Sequence, residues 1–346
     1  MKIALLSVTG QGRILSQKIA KQLTEHDVQR FCFYRHTDET AVSFQNIAQQ
    51  TELIFPEFDA LIFLCACGIA IRSIAPYLIS KASDPAVLVI DDTGKFVISL
   101  LSGHLGGANV LTEIIAEKLH AAPVITTATD TGKKFSPDSF ASANDLIITD
   151  LSAAKGIASA VLTGEKIGFN SDYAYQNKPE ILIENQNCRT GICITANPEQ
   201  KPFPVTLMLI PRNLVLGIGC KKGTSAGRIA EIVGKALNSV QIPENRICAV
   251  SSIDLKKEEA GLLEFCQNRN FPFFTYSAKI LASAEGEFTA SEFVRNIAGI
   301  DNICERCAVI HSHGKLILRK YAENGVTVAL AECPVVLDFH KRRNLS

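Results

Sequence analysis

The apolar positions of residues 1–134 fall into short runs separated by helical patterns. Runs typical of buried strands occur at residues 3–8, 31–34, 61–65, 85–90, 96–100 and 123–125. Apolar residues at helical spacing extend from Ile14 to Leu23 and from Leu111 to Leu119. Because strands alternate with amphipathic helices, this stretch predicts a layered α/β unit. Asp92-Thr93-Gly94 has the residue types of a tight turn between two of the strands.

The pattern changes after this unit and changes again near residue 212. A helical stretch at 153–162 precedes short β-like runs, which is typical of a small α+β region. An apolar strand from Leu214 then runs into glycines, and Thr224-Ser225 can cap an amphipathic helix that ends near Val240.

These patterns predict an α/β protein with two α/β domains that have layered sheets. The domains are expected at residues 1–134 and 212–346, and a small α+β middle region at residues 135–211 joins them. The charged residues from His340 onward predict a polar tail.

Composition excludes several classes of protein. The chain has 346 residues, 47% of them hydrophobic, which fits two or three folded domains and excludes a disordered chain. Lys+Arg and Asp+Glu are both 35, whereas a generic nucleic-acid binder is usually basic, so we expect no nucleic-acid partner. The longest apolar run, residues 60–71, is too short to span a bilayer, and residues 3–8 are too few for a signal peptide. We therefore expect no membrane contact and a cytoplasmic location.

The 11 cysteines are expected to be reduced, mostly as small hydrophobic residues. Cys304 and Cys307 form a CxxC pair, which is weak evidence for zinc without a second pair of ligands. His311 and His313 are expected in a hairpin turn. No metal site is predicted.

Residues 101–109 carry the densest set of polar and glycine positions in the first unit. Ser102 is predicted to cap the next helix, and Gly103, Gly106 and Gly107 would let a ligand approach the backbone. His104 would then lie at the helix start, where the positive end of the helix favours the neutral imidazole that a general base needs. The alternative is a turn histidine with packing glycines, and the residue types do not decide between the two.

Charged and hydroxyl residues follow neighbouring strands of the same unit. Asp91 could orient His104 or activate water, whereas the turn is the favoured role for Asp92. Arg72 and Lys81 could bind ligand carboxylates or be solvated surface cations. Hydroxyl and carboxyl groups at a strand end, where open α/β sheets bind ligands, are Thr126, Thr127 and Asp130; their alternative role is to cap a helix.

A second glycine-rich loop, residues 217–225, joins a strand to a helix. It lacks the GxxxxGK[ST] pattern of a P-loop, and its GxGxxxG spacing is one residue too long for a dinucleotide fingerprint. Lys221 and Lys222 beside exposed N–H groups still make a credible anion site, with a plain tight turn as the alternative. The Gly10–Gly12 loop is a weaker candidate. The charged stretch from Ser252 predicts a helix start with a solvated face.

Two blocks of motifs resemble one known family. Residues 68–72, 84–87, 101–109 and 124–130 are similar to the N-terminal domain of cobalt-precorrin-5A hydrolases, the CbiG family of anaerobic cobalamin biosynthesis. Residues 217–225, 252–262 and 327–331 resemble the C-terminal domain of that family, which is also similar to CobE proteins. The order and spacing match over most of residues 1–332, and only loosely in the middle region. Asp92 stands where the family commonly has Glu.

The resemblance implies a reaction, a substrate and a site. The family opens the ring-A lactone of cobalt-precorrin-5A, and the bridging carbon leaves with its methyl group as acetaldehyde to give cobalt-precorrin-5B. No cofactor is expected, because cobalt is carried by the substrate, and transient contact with neighbouring pathway enzymes is expected. Such a polycarboxylate needs cationic and N–H-rich surfaces. The expected substrate-binding residues are Gly68, Arg72, Lys81, Ser102, Gly103, Gly106, Gly107, Asn109, Thr126, Thr127, Asp130, Gly217, Gly219, Cys220, Lys221, Lys222, Gly223, Thr224, Ser225, Ser252, Lys256 and Glu259.

The expected catalytic residues are His104, Asp91 and Asp92. His104, oriented by Asp91, would activate water against the lactone carbonyl, and N–H groups near Gly106 and Gly107 would stabilise the oxyanion. A cleft between the two α/β domains is the expected location, since ligand sites favour domain interfaces. Two alternatives remain at this stage: a non-catalytic carrier of the corrinoid intermediate, and a nucleotide-dependent enzyme that uses one of the glycine-rich loops.

Overall fold

The computed structural model describes residues 1–80, 83–127, 134–185, 187–291, 295 and 299–341. Within these residues the strands form a seven-stranded sheet, two five-stranded sheets and a two-stranded pair. Each of the three larger sheets has a hydrophobic core of its own. The mixed sheets with their packed helices confirm the predicted α/β class.

The first unit is a seven-stranded sheet in the order β3-β2-β1-β4-β5-β6-β7. Its strands are β1 (Lys2–Ser7), β2 (Asp27–Phe33), β3 (Val42–Phe44), β4 (Ala60–Leu64), β5 (Ala86–Ile90), β6 (Phe96–Leu101) and β7 (Ala122–Val124). Its helices are α1 (Gly10–Gln22), α2 (Ile47–Ile54), α3 (Cys67–Ile74) and α4 (Ala108–Leu119). The central strands are apolar throughout because helices cover both faces of the sheet, with α1 and α4 on one and α2 and α3 on the other.

The last two strands of this sheet, β6 and β7, run opposite to the other five. Strands β1 to β5 run parallel, whereas β6 runs antiparallel to β5, with Ile90 opposite Val97 and Val87 opposite Leu101. β7 is parallel to β6. The loops that follow β6 and β7 therefore lie at the edge of the sheet where β5 begins, opposite to the loops that follow β1, β4 and β5.

The second unit is a five-stranded sheet in the order β11-β9-β12-β13-β8. Its strands are β8 (Leu146–Ile148), β9 (Ile167–Ser171), β11 (Leu182–Ile183), β12 (Thr190–Ile194) and β13 (Val205–Pro211), and its helices are α5 (Pro137–Ala143) and α6 (Leu151–Thr163). A separate strand, β10 (Ala174–Gln176), pairs with β19 (Val336–Asp338) from the chain end.

The end of the chain belongs to this second unit and not to the third. Leu337 is buried in the core of the second unit, and the Phe339 ring stacks on Phe140 of α5 at 4.2 Å between centroids. The boundary predicted at 212–346 therefore differs from the structure over the last residues. The boundary differs because the apolar residues between Pro334 and His340 pack into the core of the second unit.

The third unit is a five-stranded sheet in the order β16-β15-β14-β18-β17. Its strands are β14 (Leu214–Cys220), β15 (Ile247–Ile253), β16 (Phe273–Tyr276), β17 (Lys315–Glu323) and β18 (Val326–Glu332). Its helices are α7 (Ala226–Ser239), α8 (Ala260–Asn268), α9 (Ala278–Ala282) and α10 (Cys304–Ser312). The apolar face predicted for α7 packs into the core, and Ser225 Oγ caps this helix by accepting from the Arg228 N–H.

Two local predictions in the third unit are wrong. Ser252 lies inside β15, and the helix starts only at Ala260, because Ser252 Oγ donates to the Ile218 carbonyl at 2.7 Å and so follows the sheet. His311 lies in the last turn of α10, and His313 ends this helix with a left-handed backbone, φ 52°, where a hairpin turn was expected.

We predict that Gly217→Ala destabilises the third unit. A Cβ at Gly217 would overlap the carbonyl oxygen of Cys304, where α10 crosses β14. Since backbone must move to make room, we expect the free energy of unfolding to fall by about 3 kcal/mol in urea titrations. Gly234→Ala is the control, because a Cβ there meets nothing within 4 Å and removes a helical glycine, for an expected gain of about 0.5–1 kcal/mol. Equal effects of the two changes would contradict the packing role.

Candidate functional site

The loop after β6 has a different shape from the one expected. α4 begins at Ala108, and its cap is Gly107, with φ 88°. Ser102 has a positive φ of 56°, and its Oγ donates to the Asp84 carbonyl at 3.0 Å, so Ser102 ties this loop to the start of β5 and is not the helix cap. His104 consequently lies within the loop and not at the helix start.

The glycines of the same loop are explained by packing within the loop. A Cβ at Gly103 would lie 2.7 Å from Asn109 Oδ1, and a Cβ at Gly106 would overlap the side chain of Ser102. The loop can therefore close on itself only if both positions lack a side chain. This favours the packing alternative for Gly103 and Gly106.

Asn109 links three elements beside His104. It is buried at the start of α4, its Oδ1 accepts from Ser99 Oγ at 2.6 Å, and its Nδ2 donates to Thr127 Oγ1 at 3.0 Å. The strand-end hydroxyl of Thr127, and with it Thr126, thus lies at the same edge as His104, as the parallel course of β6 and β7 requires. Lys81 and Asp130 lie outside the described residues.

His104 contacts the second unit through a side chain that the sequence did not indicate. Its Nδ1 lies 2.7 Å from the Oγ of Ser139 on α5. Both residues line a cavity of about 230 Å³ between the two units, together with Asn109, Glu113 and Lys341. A serine inside a short helix carries no recognisable pattern, so no motif could have identified Ser139.

Asp91 does not orient His104. The Asp91 carboxylate accepts from the Thr93 N–H at 3.1 Å, the Thr93 hydroxyl, the Lys95 N–H at 2.9 Å and the Phe96 N–H at 2.7 Å. It therefore holds the β5–β6 hairpin, and β5 separates it from the His104 loop by roughly 13 Å of strand at ~3.3 Å per residue. The expected pairing is wrong because β6 runs antiparallel to β5.

Asp91 takes the turn role that was expected of Asp92, and Asp92 has neither expected role. The turn was the favoured role for Asp92, but its Oδ1 is buried and has no hydrogen-bond partner among the residues described. A Cβ at Gly12 would lie 3.3 Å from that oxygen. Asp92 therefore faces the start of α1, at the edge of the sheet opposite to His104, so the structure does not group these two expected catalytic residues.

Gly68 and Arg72 also lie away from the His104 loop. Both are exposed on α3, and Arg72 Nη1 lies 3.6 Å from the position of a Cβ at Gly68. The guanidinium is thus folded back over the first turn of α3, which follows β4 at the same edge as Asp92. Neither residue lines the His104 cavity.

We predict that Asp91→Asn lowers stability in a pH-dependent way. Burial alone would raise the pKa of Asp91, but the hydrogen bonds from Thr93, Phe96 and Lys95 outweigh it and lower the pKa. A lowered pKa stabilises the fold above the unfolded value and loses this effect as pH falls. We expect Asp91→Asn to lower the free energy of unfolding by about 1–3 kcal/mol at pH 7. In urea titrations the difference in this free energy between the variant and the wild type should become smaller below about pH 4. A difference that stays constant with pH would contradict the role of the charge.

A second cavity, of about 570 Å³, lies in the third unit. Four lysines line it: Lys221 and Lys222 after β14, Lys256 after β15, and Lys320 on β17. Its other walls are mostly apolar side chains and backbone, with Gly219, Cys220, Ile303 and Cys304 among them. Apolar walls surrounded by cationic groups suit an anionic ligand that has extended apolar faces.

Glu259 positions one of these lysines. Its carboxylate lies 2.7 Å from Lys256 Nζ and accepts from the Gly223 N–H at 2.7 Å. The ion pair with Lys256 and the Gly223 N–H hold the pKa of Glu259 below its ordinary value despite its burial. Glu259 and Gly223 therefore join the glycine-rich loop to Lys256. Burial raises the pKa of the Cys220 thiol on the cavity wall.

Four other expected binding residues of the third unit have structural contacts instead. Gly217 packs under α10, Ser252 is buried in β15, and Ser225 caps α7. Thr224 Oγ1 donates to the Lys221 carbonyl at 2.7 Å and closes the loop. These four residues do not line the cavity, whereas Gly219, Cys220, Lys221, Lys222 and Lys256 do.

Sequence reasoning missed Lys320 and Asn302 of this cavity. Lys320 lies on an alternating surface strand, and its N–H donates to Glu305 Oε1 at 2.7 Å. Asn302 Oδ1 accepts from the Glu305 N–H at 2.9 Å and so begins α10. The only sequence signal for Lys320 was its place at an inward-facing position of a strand with alternating exposure. Cys304 and Cys307 of the CxxC pair are buried in α10, and burial raises the pKa of Cys304 to about 11.

The two cavities do not form one cleft between the first and third units. The His104 cavity is lined by residues 103–143 and by Lys341, and the lysine cavity is lined by residues 219–327. β14 begins beside the second unit, where Arg246 donates to the Pro211 carbonyl and to Asn213. The lysine cavity lies at the other end of β14, about 20 Å along the strand at ~3.3 Å per residue.

The described residues form neither a metal-binding cluster nor a membrane-spanning helix. They contain no group of three or more His, Cys, Asp or Glu side chains placed to hold a metal ion. None of their helices combines the length and apolar character that crossing a membrane requires. The structure shows all eleven cysteines as free thiols.

The fold and the two cavities define a class of protein: a chain of three α/β units with a lysine-lined cavity in the third unit and a histidine–serine contact between the first two. Three family models match in chain order. They are described as cobalamin synthesis G N-terminal, residues 49–130, cobalamin biosynthesis central region, residues 135–211, and cobalamin synthesis G C-terminus, residues 214–331.

Individual proteins match over long stretches of the chain. The cobalt-precorrin-5A hydrolase of Salmonella typhimurium is 32% identical, with 95% of this chain and 97% of that protein covered. Protein CobE of a Sinorhizobium species is 30% identical over 37% of this chain and 85% of its own length. A solved cobalamin biosynthesis protein G homolog from Sulfolobus solfataricus covers 95% of this chain and 96% of its own, with 25% identity and a TM-score of 0.42. The chain belongs to the cobalamin synthesis G family.

Proposed function

We propose that this protein is a cobalt-precorrin-5A hydrolase. The observation that carries the proposal is the similarity over nearly the full length to a hydrolase of that name, at 32% identity. The reaction consumes one water, opens the ring-A lactone and releases the two-carbon bridge as acetaldehyde, which leaves cobalt-precorrin-5B.

The lysine cavity fits the substrate of this reaction. The macrocycle offers flat apolar faces and a periphery of carboxylates, and the cavity offers apolar walls with Lys221, Lys222, Lys256 and Lys320. Lys256 is held in place by Glu259 and does not need to be ordered when a carboxylate binds. We assign retention of the macrocycle before it reaches the His104 site to this cavity, because the two cavities are separate.

The lactone chemistry is assigned to the His104 site. His104 takes a proton from water, the water oxygen adds to the lactone carbonyl carbon, and the ring C–O bond breaks. The proton passes to the released alkoxide. The alcohol then loses its proton, its oxygen becomes the acetaldehyde carbonyl, and the electron pair of the broken carbon–carbon bond enters the conjugated macrocycle. N–H groups at Gly106 and Gly107 would stabilise the oxyanion. A cavity of about 230 Å³ admits the lactone edge and not the whole macrocycle.

The setting of the reaction is part of the same proposal. The chemistry needs no cofactor of the protein, because the substrate carries the cobalt and the electron-accepting ring. Eleven free cysteines suit a reducing compartment, so we place the reaction in the cytoplasm. A labile product favours transfer to the next enzyme of the pathway through a transient contact.

We predict that the pure protein releases acetaldehyde from cobalt-precorrin-5A and that His104→Gln lowers the rate about 10²–10⁴-fold. The assay is anaerobic, with alcohol dehydrogenase and NADH to detect acetaldehyde and mass spectrometry to follow the macrocycle. His120→Asn is the matched control, because His120 is an exposed histidine with a left-handed backbone that Asn also adopts.

Three other outcomes of this assay would contradict parts of the proposal. A wild-type protein that binds the macrocycle without releasing acetaldehyde would be a carrier. Normal turnover by His104→Gln would place the chemistry elsewhere. A wild-type protein that does not bind the macrocycle would contradict cobalt-precorrin-5A as the substrate.

We predict that Lys221→Gln, Lys222→Gln and Lys320→Gln together weaken macrocycle binding roughly threefold to a hundredfold, since exposed charge pairs contribute about 0.2–1 kcal/mol each. Binding is measured by absorbance titration in the His104→Gln background, where turnover is suppressed. Lys257→Gln is the control, because Lys257 is exposed and pairs with Glu258 outside the cavity. An unchanged Kd in the triple variant would remove the lysine cavity from the proposal.

A further inference from the structure

The hydrogen bond between His104 and Ser139 crosses from the first unit to the second. His104 lies on the loop between β6 and α4, and Ser139 lies on α5, 35 residues further along the chain. The Nδ1–Oγ distance of 2.7 Å is that of a well-formed hydrogen bond. The imidazole therefore contacts a unit other than the one that carries it.

The second unit holds Ser139 firmly in place. The Ser139 N–H donates to the Oγ of Ser136, which caps α5. The next two residues, Phe140 and Ala141, are buried in the core of the second unit, where Phe140 stacks on Phe339 from the chain end. The side chain of Ser139 consequently points to the cavity from a backbone that core packing fixes.

We propose that Ser139 is the positioning residue of the His104 site. Its Oγ accepts the hydrogen of Nδ1, which fixes the ring orientation and the tautomer, so that Nε2 is the nitrogen that takes the proton from water. This inference rests on the proposed function for the role of the histidine as a base. It adds that the site is incomplete without the second unit.

The expected kinetic effect differs from that of losing a substrate contact. A residue that only orients the base affects the proton transfer and not the binding of substrate. Ser139→Ala should therefore lower kcat about 10–100-fold and leave KM within about twofold, as is typical of residues that orient a catalytic histidine. Ser139→Thr keeps a hydroxyl in the same place and should restore most of kcat.

The decisive experiment reads the tautomer directly, in the full-length protein with ¹⁵N-labelled histidine. His104 is assigned in long-range ¹H–¹⁵N spectra as the signal set, among those of seven histidines, that His104→Gln removes. The wild type should show the Nδ1–H tautomer, and Ser139→Ala should show a mixture or the Nε2–H tautomer. Asp150→Ala is the control, since it removes the cap of α6 in the same unit but keeps Ser139 and the cap of α5, and it should lower Tm while leaving the tautomer and kcat unchanged.

Three results would overturn the proposal. An unchanged tautomer and kcat in Ser139→Ala would show that the contact orients nothing. The same loss in Asp150→Ala as in Ser139→Ala would show that the effect comes from the stability of the second unit. A substrate-derived mass adduct on Ser139 would make it a nucleophile. Because the tautomer is measured without substrate, absence of acetaldehyde release would reject the proposed function without rejecting the positioning of His104 by Ser139.

Discussion

The reversal of β6 is the constraint on which the arrangement of the first unit depends. Had β6 run parallel to β5, the loop that follows it would lie with the loops after β1, β4 and β5. The hairpin held by the four hydrogen bonds to Asp91 sends β6 back along β5 instead. His104 consequently emerges at the edge where β5 begins, and this is the edge on which α5 of the second unit packs. The hairpin thus determines which unit can complete the His104 site.

Much of the fold could be predicted from local patterns. Buried strands such as β4 and β5 are continuous apolar runs because helices cover both faces, and α7 has an apolar face that only a helix would align. The lysine cavity could also be predicted in part. Lys221 and Lys222 follow a strand that ends in glycines, and α/β sheets bind ligands at such strand ends. These features depend on neighbours in the chain, which a sequence displays directly.

The features that could not be predicted depend on partners that are distant in the chain. Asp91 and Asp92 are adjacent and chemically identical, so the sequence could not tell that the first would cap the hairpin and the second would face α1. Ser139 gains its meaning only from a loop 35 residues earlier. The two candidate sites were expected in one cleft because each has good chemistry, but the strand direction of β14 takes the lysines away from the His104 cavity.

The returning strand β19 makes the third unit an insertion within the second. Residues 214–332 form the third unit and follow β13 of the second unit. The chain then returns to the second unit, where Leu337 and Phe339 pack into its core. During synthesis the third unit can therefore fold while the second still lacks part of its interior. Residues that are synthesised after the third unit complete the core that supports α5. The contact between His104 and Ser139 of α5 therefore depends on a segment that follows the whole third unit in the chain.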